Sequence, residues 1–372
     1  MDRGSSQNRL PLHPSTNNNT VAHPPTRHAR ISAAPRDEAE LEEQLSAPSD
    51  GVVTALAACP GDVLVLGAGG KMGPSLARLL RRAADSASSK RQVIAVSRFS
   101  DPSVAEGLAA DGLVVRHSNL SDPDALAALP DAPNVIFMAG YKFGTSDEPW
   151  RTWGTSAAIP AFVAARFRDA RIVAFSTGNV YPLGPVQRGG SREDDPLTPQ
   201  GEYAWACVAR ERVLENASRT QRTKLSIVRL NYAVDLRYGV LVDLAQRVVA
   251  GQPIDVSMGY VNVIWQGDAN AQAIQALPLA ASPPFVVNVT GNDTLSVRAA
   301  ALELGRLLRR EPEFVGREAP DALLSATTRA QELFGPPSVG TATLIEWVAE
   351  WMLRGGRTLG KATHFEERGG RY

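Results

Sequence analysis

The stretch "VLVLGAGGKMGPSLARLL", residues 63–80, decides the fold. It opens as a short apolar run and closes as an amphipathic one, with arginines on one side and leucines on the other. Between the two lie glycines at 67, 70 and 73. Glycine permits a tight turn and lets the backbone come close to a pyrophosphate, and the helix that follows offers free N–H groups at its positive end. The strand before and the helix after give a glycine pattern its meaning. A purely structural strand-to-helix turn is the plainer alternative. On the first reading Gly67, Gly70, Lys71, Met72 and Gly73 hold a dinucleotide.

Working outward, "QVIAVSR" (92–98), "NVIFMAG" (134–140), "RIVAFST" (171–177) and "LSIVRLNYA" (225–233) are runs of the same apolar kind. Helical patterns such as "DPDALAAL" (122–129) and "IPAFVAARF" (159–167) separate them. Apolar strands alternating with helices imply a parallel sheet covered on both faces. The expected fold class is therefore α/β, a Rossmann-type doubly wound parallel sheet over residues 61–235. A smaller C-terminal α+β substrate lobe follows at 236–372, where the strict alternation weakens. In that lobe "YGVLVDLAQRVVAG" (238–251), "SVRAAALELGRLL" (296–308) and "ATLIEWVAEWML" (342–353) read as helices, and "VNVIWQGD" (261–268) as a strand-like return. "FVVNVTG" (285–291) reads as another strand, and some such segments are expected to rejoin the main sheet. At the other end, residues 1–36 are rich in Pro, Ser, Asn and Thr and predict a disordered tail. The tail's five arginines against one acid allow a transit peptide, but no amphipathic pattern accompanies them. "DEAELEEQL" (37–45) and "GVVTALAAC" (51–59) predict a helical extension over 37–60, stopped by Pro60 and Gly61.

Composition narrows the partners. The chain has 372 residues and a formal net charge of zero, so it presents no electrostatic footprint for nucleic acid or an anionic membrane. No apolar run reaches the roughly 20 residues that span a bilayer. Two cysteines, Cys59 and Cys207, give no disulfide framework and fit a reducing cytoplasm. Three of the five histidines lie in the tail, at 13, 23 and 28, which argues against a metal site in the body. A small-molecule substrate is the expected partner.

Four further motifs bear on chemistry. "VSRFSD" (96–101) ends the second strand with Arg98, 25 residues after Gly73, about where a 2′-phosphate lies in such folds. That favours NADP over NAD, with Asp101 or backbone meeting the ribose as the alternative. "FMAGYKFG" (137–144) places Ala139, Gly140 and Lys142 after the fourth strand. "FSTGNVYP" (175–182) carries Thr177 and Tyr181, and "GEYAWACVARE" (201–211) carries Tyr203, Cys207 and Glu211.

From Asp62 to Trp351 these pieces resemble the extended short-chain dehydrogenase/reductase family, the NAD-dependent epimerase/dehydratase group. "GKMGPSLAR", "RLNYAVDLRYG" and "GKATHFE" are similar to runs in one bacterial branch of it, with Tyr-x-x-x-Cys in place of Tyr-x-x-x-Lys. The resemblance implies an NAD(P) cofactor contacted by Ala139, Gly140 and Lys142. It puts Thr177 at the catalytic hydroxyl position, Tyr203 at the general acid/base position and Tyr181 against the substrate. Asn231, in "VRLNYA", is implied as a further substrate contact, though displaced by one residue. A homodimer built on the Tyr203 helix is also implied.

The departures carry information. The acid after the third strand is Asn119, and the asparagine of the helix after the fourth falls on Ser156 or has no counterpart. The lysine is Cys207. A free tyrosine has a pKa of about 10, so roughly one in a thousand is ionised at pH 7. A nearby cation lowers that value, and a neutral thiol does not. Lys142, already implied at the cofactor, is the better substitute, and Arg210 lies further along. Cys207 itself reads as a nucleophile near a helix N-terminus or, more simply, as packing. Thr177 also fits a strand-end hydroxyl bonding backbone, and Tyr203 a core aromatic. Where dehydratases of the group carry an Asp-Glu pair, this chain has Gly178-Asn179, neither able to exchange a proton as a carboxyl does. The expected function is therefore an epimerase or oxidoreductase acting on a sugar, a nucleotide sugar or a related carbonyl or polyol compound. A cofactor-binding sensor or scaffold without turnover is the alternative.

Overall fold

The computed structural model describes Met1 and residues 33–140 and 148–371. The expected disordered tail lies almost wholly outside the described residues, as does Lys142.

Seven strands form one parallel sheet. They are β1 (Val63–Leu66), β2 (Val93–Ser97), β3 (Val114–His117), β4 (Asn134–Phe137), β5 (Arg171–Thr177), β6 (Lys224–Leu230) and β7 (Phe285–Val289). Their spatial order is β7-β6-β5-β4-β1-β2-β3, so the chain winds outward in both directions from the junction of β1 and β4. Period-two alternation explains why both faces are covered. In β1, Val63 and Val65 enter one core and Leu64 and Leu66 the other. Ala95 against Ile94 in β2, and Val173 against Ile172 in β5, divide in the same way.

Helices supply the opposing layers. The Gly73–Ser86 helix buries Leu76, Ala77, Leu79, Leu80 and Ala83 against the first core. Asp50–Ala57 and Gln266–Gln275 share that face, and Ile159–Arg166 and Glu202–Gln221 cover the other. A third core joins Val240–Ala250, Val297–Leu308 and Thr341–Leu353, with Leu41 and Leu45 of the Glu38–Leu45 helix tucked into it. Trp265 and Trp347 meet edge to face there, with ring centroids 5.5 Å apart.

β7 comes from the C-terminal part of the chain and pairs in parallel with β6 along its whole length, Phe285 opposite Ser226 and Val289 opposite Leu230. "VNVIWQGD" differs from expectation. Ile264–Trp265 pairs only with Ala233–Val234, outside the main sheet, and a helix begins at Gln266. No helix among the described residues is long and apolar enough to cross a membrane.

Candidate functional site

β1 ends at Leu66, and the chain turns at Gly67 with φ +97°, a backbone conformation that side chains resist. A Cβ there would stand 2.7 Å from the Ala139 nitrogen, and one at Gly73 would collide with the Ala68 carbonyl. These two glycines let the loop, β4 and the following helix close together. Gly70 differs, because the nearest atom to a Cβ on it is the Gly67 carbonyl at 3.3 Å and its remaining side faces open space. No side chain caps the Gly73–Ser86 helix at its start. Its first-turn N–H groups and positive dipole end therefore suit an anion.

This loop forms one wall of a cleft of about 850 Å³, open to solvent, at the carboxyl edge of the sheet where β1 and β4 part. Gly67, Gly70, Arg98, Ala139 and Gly140 all line it, as does Asn119. A solvent-open cleft beside an uncapped helix start, at the point where strand order reverses, has the form that takes a dinucleotide. Two expected residues lie elsewhere. Met72 turns into the first core, and the Lys71 ammonium sits 3.6 Å over the Tyr238 ring.

The opposite wall is irregular for a physical reason. Gly154–Ala158 forms a π-helical turn between Pro149–Trp153 and Ile159–Arg166. Pro160 has no N–H to give the Ser156 carbonyl, so the regular ladder cannot pass through. Gly154, Thr155 and Ala158 of this turn face the cleft, with Trp150 from the helix before it.

β5 ends at Thr177. Its hydroxyl accepts from the Asn179 backbone N–H and donates to Asn179 Oδ1, each at 3.2 Å, and so caps the Gly178–Val180 turn. That turn packs on the first half of the Glu202–Gln221 helix. Val180 and Tyr181 join Cys207 and Val208 in a small apolar cluster, with Tyr203 and Leu197 against it. Cys207 is 0% exposed within that cluster.

Tyr181 is 2% exposed. Its hydroxyl donates to Asn288 Oδ1 at 2.8 Å and accepts from Arg229 at 2.7 Å, so its one proton is committed inside the protein. Burial pushes its pKa up to about 12, against the pull of the Arg229 charge. Arg229 also pairs with Glu211 at 2.7 Å, and Ser176 donates to the same carboxylate. Burial lowers the Arg229 pKa, but its bonds to Glu211 outweigh that and hold the guanidinium above its ordinary value. Asn231 is buried as well. Its amide donates to the Leu323 carbonyl at 3.4 Å, and its side chain fills the space where a Cβ on Gly178 would go, 3.0 Å away.

A second, much smaller recess of about 20 Å³ adjoins these residues. Asn179, Tyr181 and Leu183 line it on one side, with Gln200 beside the helix start and Glu367, Arg368 and Gly370 from the C-terminal segment.

One feature escaped the sequence reading, the Ser176–Glu211–Arg229–Tyr181–Asn288 network, whose members lie on four separate segments. Arg210, read as a cation lying further along, is placed differently from expectation. Only 6% exposed, it donates to the Phe175 carbonyl at 3.0 Å and to Ser156 Oγ at 3.4 Å, and its Nε has no hydrogen-bond partner. Among the described residues no carboxylate pairs with it. A Cβ on the cleft residue Gly140 would lie 3.2 Å from this guanidinium. The signal was its position seven residues after Tyr203, two helical turns on and on the same face.

Residues 63–251 match the family model described as the NAD dependent epimerase/dehydratase family. No curated protein matches significantly. Among solved structures, the chain is similar to DesIV, a dTDP-glucose 4,6-dehydratase from Streptomyces venezuelae solved with NAD bound, at 18% identity and a TM-score of 0.66 over 78% of this chain and 97% of that one. It is similar also to a UDP-glucose 4-epimerase from Thermotoga maritima solved with UDP-glucose, at 16% identity and a TM-score of 0.64 over 79% and 99%. The UDP-Glc/GlcNAc 4-epimerase from Campylobacter jejuni gives 20% identity and a TM-score of 0.62 over 79% and 100%. At these identities the likeness shows the fold alone.

Proposed function

The chain belongs to the NAD dependent epimerase/dehydratase family, and from that premise we propose that it is an NAD(P)-dependent epimerase or oxidoreductase acting on a sugar, a nucleotide sugar or a related carbonyl or polyol compound. The observation that carries the reading is one of placement. The glycine-loop cleft and the Thr177 and Tyr203 segments stand along the same carboxyl edge of the sheet, with the smaller recess beside them. The nicotinamide of a bound cofactor would supply hydride exchange. The chain's part is to bind and orient. Gly67 and Gly73 shape the loop, Gly70 leaves room for phosphate, and Ala139 and Gly140 form the far wall. Arg98 on the rim favours a 2′-phosphate, hence NADP over NAD. Asn231 and Tyr181 shape the substrate side from beneath.

Tyr203 handles the substrate proton, with Thr177 as the second hydroxyl. The helix carries Tyr-x-x-x-Cys, the mark of a distinct branch, and Cys207 serves packing. The cation that a lysine supplies elsewhere in the family is here Arg210, whose unpaired charge stands behind Gly140, or Lys142. Dehydration is disfavoured, because Gly178 and Asn179 carry no carboxyl to exchange a proton. A homodimer through the Tyr203 helix completes the proposal.

A buried thiol at 207, where the family carries a lysine, favours a second reading, an NAD(P)-binding sensor or scaffold without turnover. One set of measurements separates the two. NADH and NADPH binding is measured by calorimetry, then carbonyl and sugar substrates are screened at the nicotinamide absorbance. Turnover that disappears in Tyr203→Phe with binding kept, and that sets in at higher pH in Arg210→Met, supports the enzyme. Binding with no turnover across a broad panel sinks it, and no dinucleotide binding sinks both.

A further inference from the structure

The chain does not stop at the Thr341–Leu353 helix. Residues 355–371 have no regular secondary structure, yet they are fastened at many points. The Arg357 guanidinium pairs with Glu38 at 2.7 Å and its carbonyl accepts from Trp351 Nε1. The Leu359 N–H donates to the Arg237 carbonyl. Thr363 then donates to the buried carboxylate of Asp243 twice, from its backbone at 2.8 Å and its hydroxyl at 2.5 Å. Phe365 is sunk in the third core, Glu366 pairs with Arg247 and Arg368 with Asp321. Gly370 lies against Gln200 and Gly201, at the threshold of the Tyr203 helix. The segment is a strap with anchors before and after residue 361.

Lys361 lies between those anchors, exposed, on the rim of the large cleft that holds Gly69, Gly70 and Arg98. Among the described residues no hydrogen bond or ion pair engages its ammonium. Among the described residues, the cleft carries three cations, Arg98, Arg151 and Lys361, against one carboxylate, Asp101. Arg151 is paired with Glu148, and Asp101 accepts from the Ser103 backbone and hydroxyl. Among the described residues that leaves two uncommitted cations facing a cleft walled by an uncapped helix start, an arrangement that attracts an anion. The two are placed differently. Arg98 follows β2, whereas the strap comes in past Arg237, whose neighbour Tyr238 carries the Lys71 of the glycine loop on its ring.

We propose that Lys361, held at the cleft by the strap, binds the diphosphate of the dinucleotide. This rests on the reading of the cleft as a dinucleotide site. The glycine loop offers its phosphates N–H groups from one side, and Lys361 closes over them with charge from the other. It also makes the C-terminal strap a part of the binding site, although it lies beyond the residues that match the family model.

The test is Lys361→Met, which keeps the aliphatic stem, set beside Lys361→Arg. Calorimetric titrations use NADH, NADPH, ADP-ribose and adenosine. Since the side chain is exposed, thermal stability is expected to stay at the wild-type value. The methionine variant should bind NADH, NADPH and ADP-ribose about tenfold more weakly, the usual size of one charge-assisted contact. Adenosine binding should be unchanged, and arginine should restore most of the loss. Wild-type affinity for all ligands in Lys361→Met overturns the inference while leaving the dinucleotide reading in place. A loss confined to NADPH also overturns it, by moving the contact to the 2′-phosphate. If the wild-type protein binds none of the four, the underlying reading falls instead.

Discussion

Glu211 and Arg229 meet where the Glu202–Gln221 helix lies on the sheet, carboxylate to guanidinium at 2.7 Å, with both side chains shut away from solvent. Breaking such a pair strands a charge in a medium that solvates it poorly. Glu211→Gln is expected to lower unfolding free energy by about 3–5 kcal/mol in urea titrations. The double change Glu211→Leu, Arg229→Met should cost clearly less than the sum of its two single changes. Strict additivity would show that the two residues do not act as a pair.

Burial pushes both Tyr181 and Tyr238 up to about 12, with the Arg229 charge opposing the shift in Tyr181 and the Asp243 charge adding to it in Tyr238. In the unfolded chain each titrates near 10. The native state therefore holds these protons more tightly. Its advantage is complete below pH 10 and is lost as pH rises through 12, by roughly 2–3 kcal/mol per tyrosine. Urea midpoints between pH 9 and 12 should fall with this slope, and less steeply in Tyr181→Phe. An unchanged slope in that variant would remove Tyr181 from the account.

The glycines of the loop divide by function. Gly67→Ala meets both a positive φ and the Ala139 backbone, and is expected to destabilise the fold by at least about 2 kcal/mol. Gly70→Ala meets only the Gly67 carbonyl at 3.3 Å. It should melt within a few degrees of wild type and yet lose dinucleotide binding tenfold or more. Differential scanning calorimetry and ligand titration, run on both variants, check the contrast. Equal binding in Gly70→Ala would remove the loop from the proposed site.

Both cysteines are fully buried, and neither is in a disulfide. An aromatic disulfide reagent should label neither thiol in the native protein and both after unfolding. Rapid native labelling of Cys207 would revive it as a nucleophile. Cys207→Lys would restore the family's residue but place an ammonium among Val180, Tyr181 and Val208. It is expected to cost stability, on the order of 2 kcal/mol or more, and to give no gain in rate.

Much of this could be read from local sequence because its causes are local. Strand alternation, glycine spacing and the helix after the loop fix β1, β2, β4, β5, β6 and the cleft, and "FVVNVTG" announces β7 through its own apolar run, whereas the half-exposed β3 shows no such run. What stayed hidden depends on residues far apart in the chain. Nothing near Tyr181 says that Asn288 will take its proton, and nothing near Asp243 says that Thr363 will donate to it. Arg210 was within reach as a seventh-residue neighbour of Tyr203, but the reach of its guanidinium to Gly140 depends on how the helix sits on β4 and β5. The strap showed only as the "GKATHFE" likeness, because it has no periodicity from which its course could be read. Its order comes from partners on other segments.

The pairing of β7 with β6 has a further consequence. A strand drawn from beyond residue 280 forms one margin of a sheet begun at residue 63, so the later part of the chain is not a detachable cassette. Exchanging it for the corresponding part of a relative to change substrate choice would strip an edge from the sheet. Any such graft has to keep Phe285–Val289 and its register, or redesign the exposed flank of β6 at the same time.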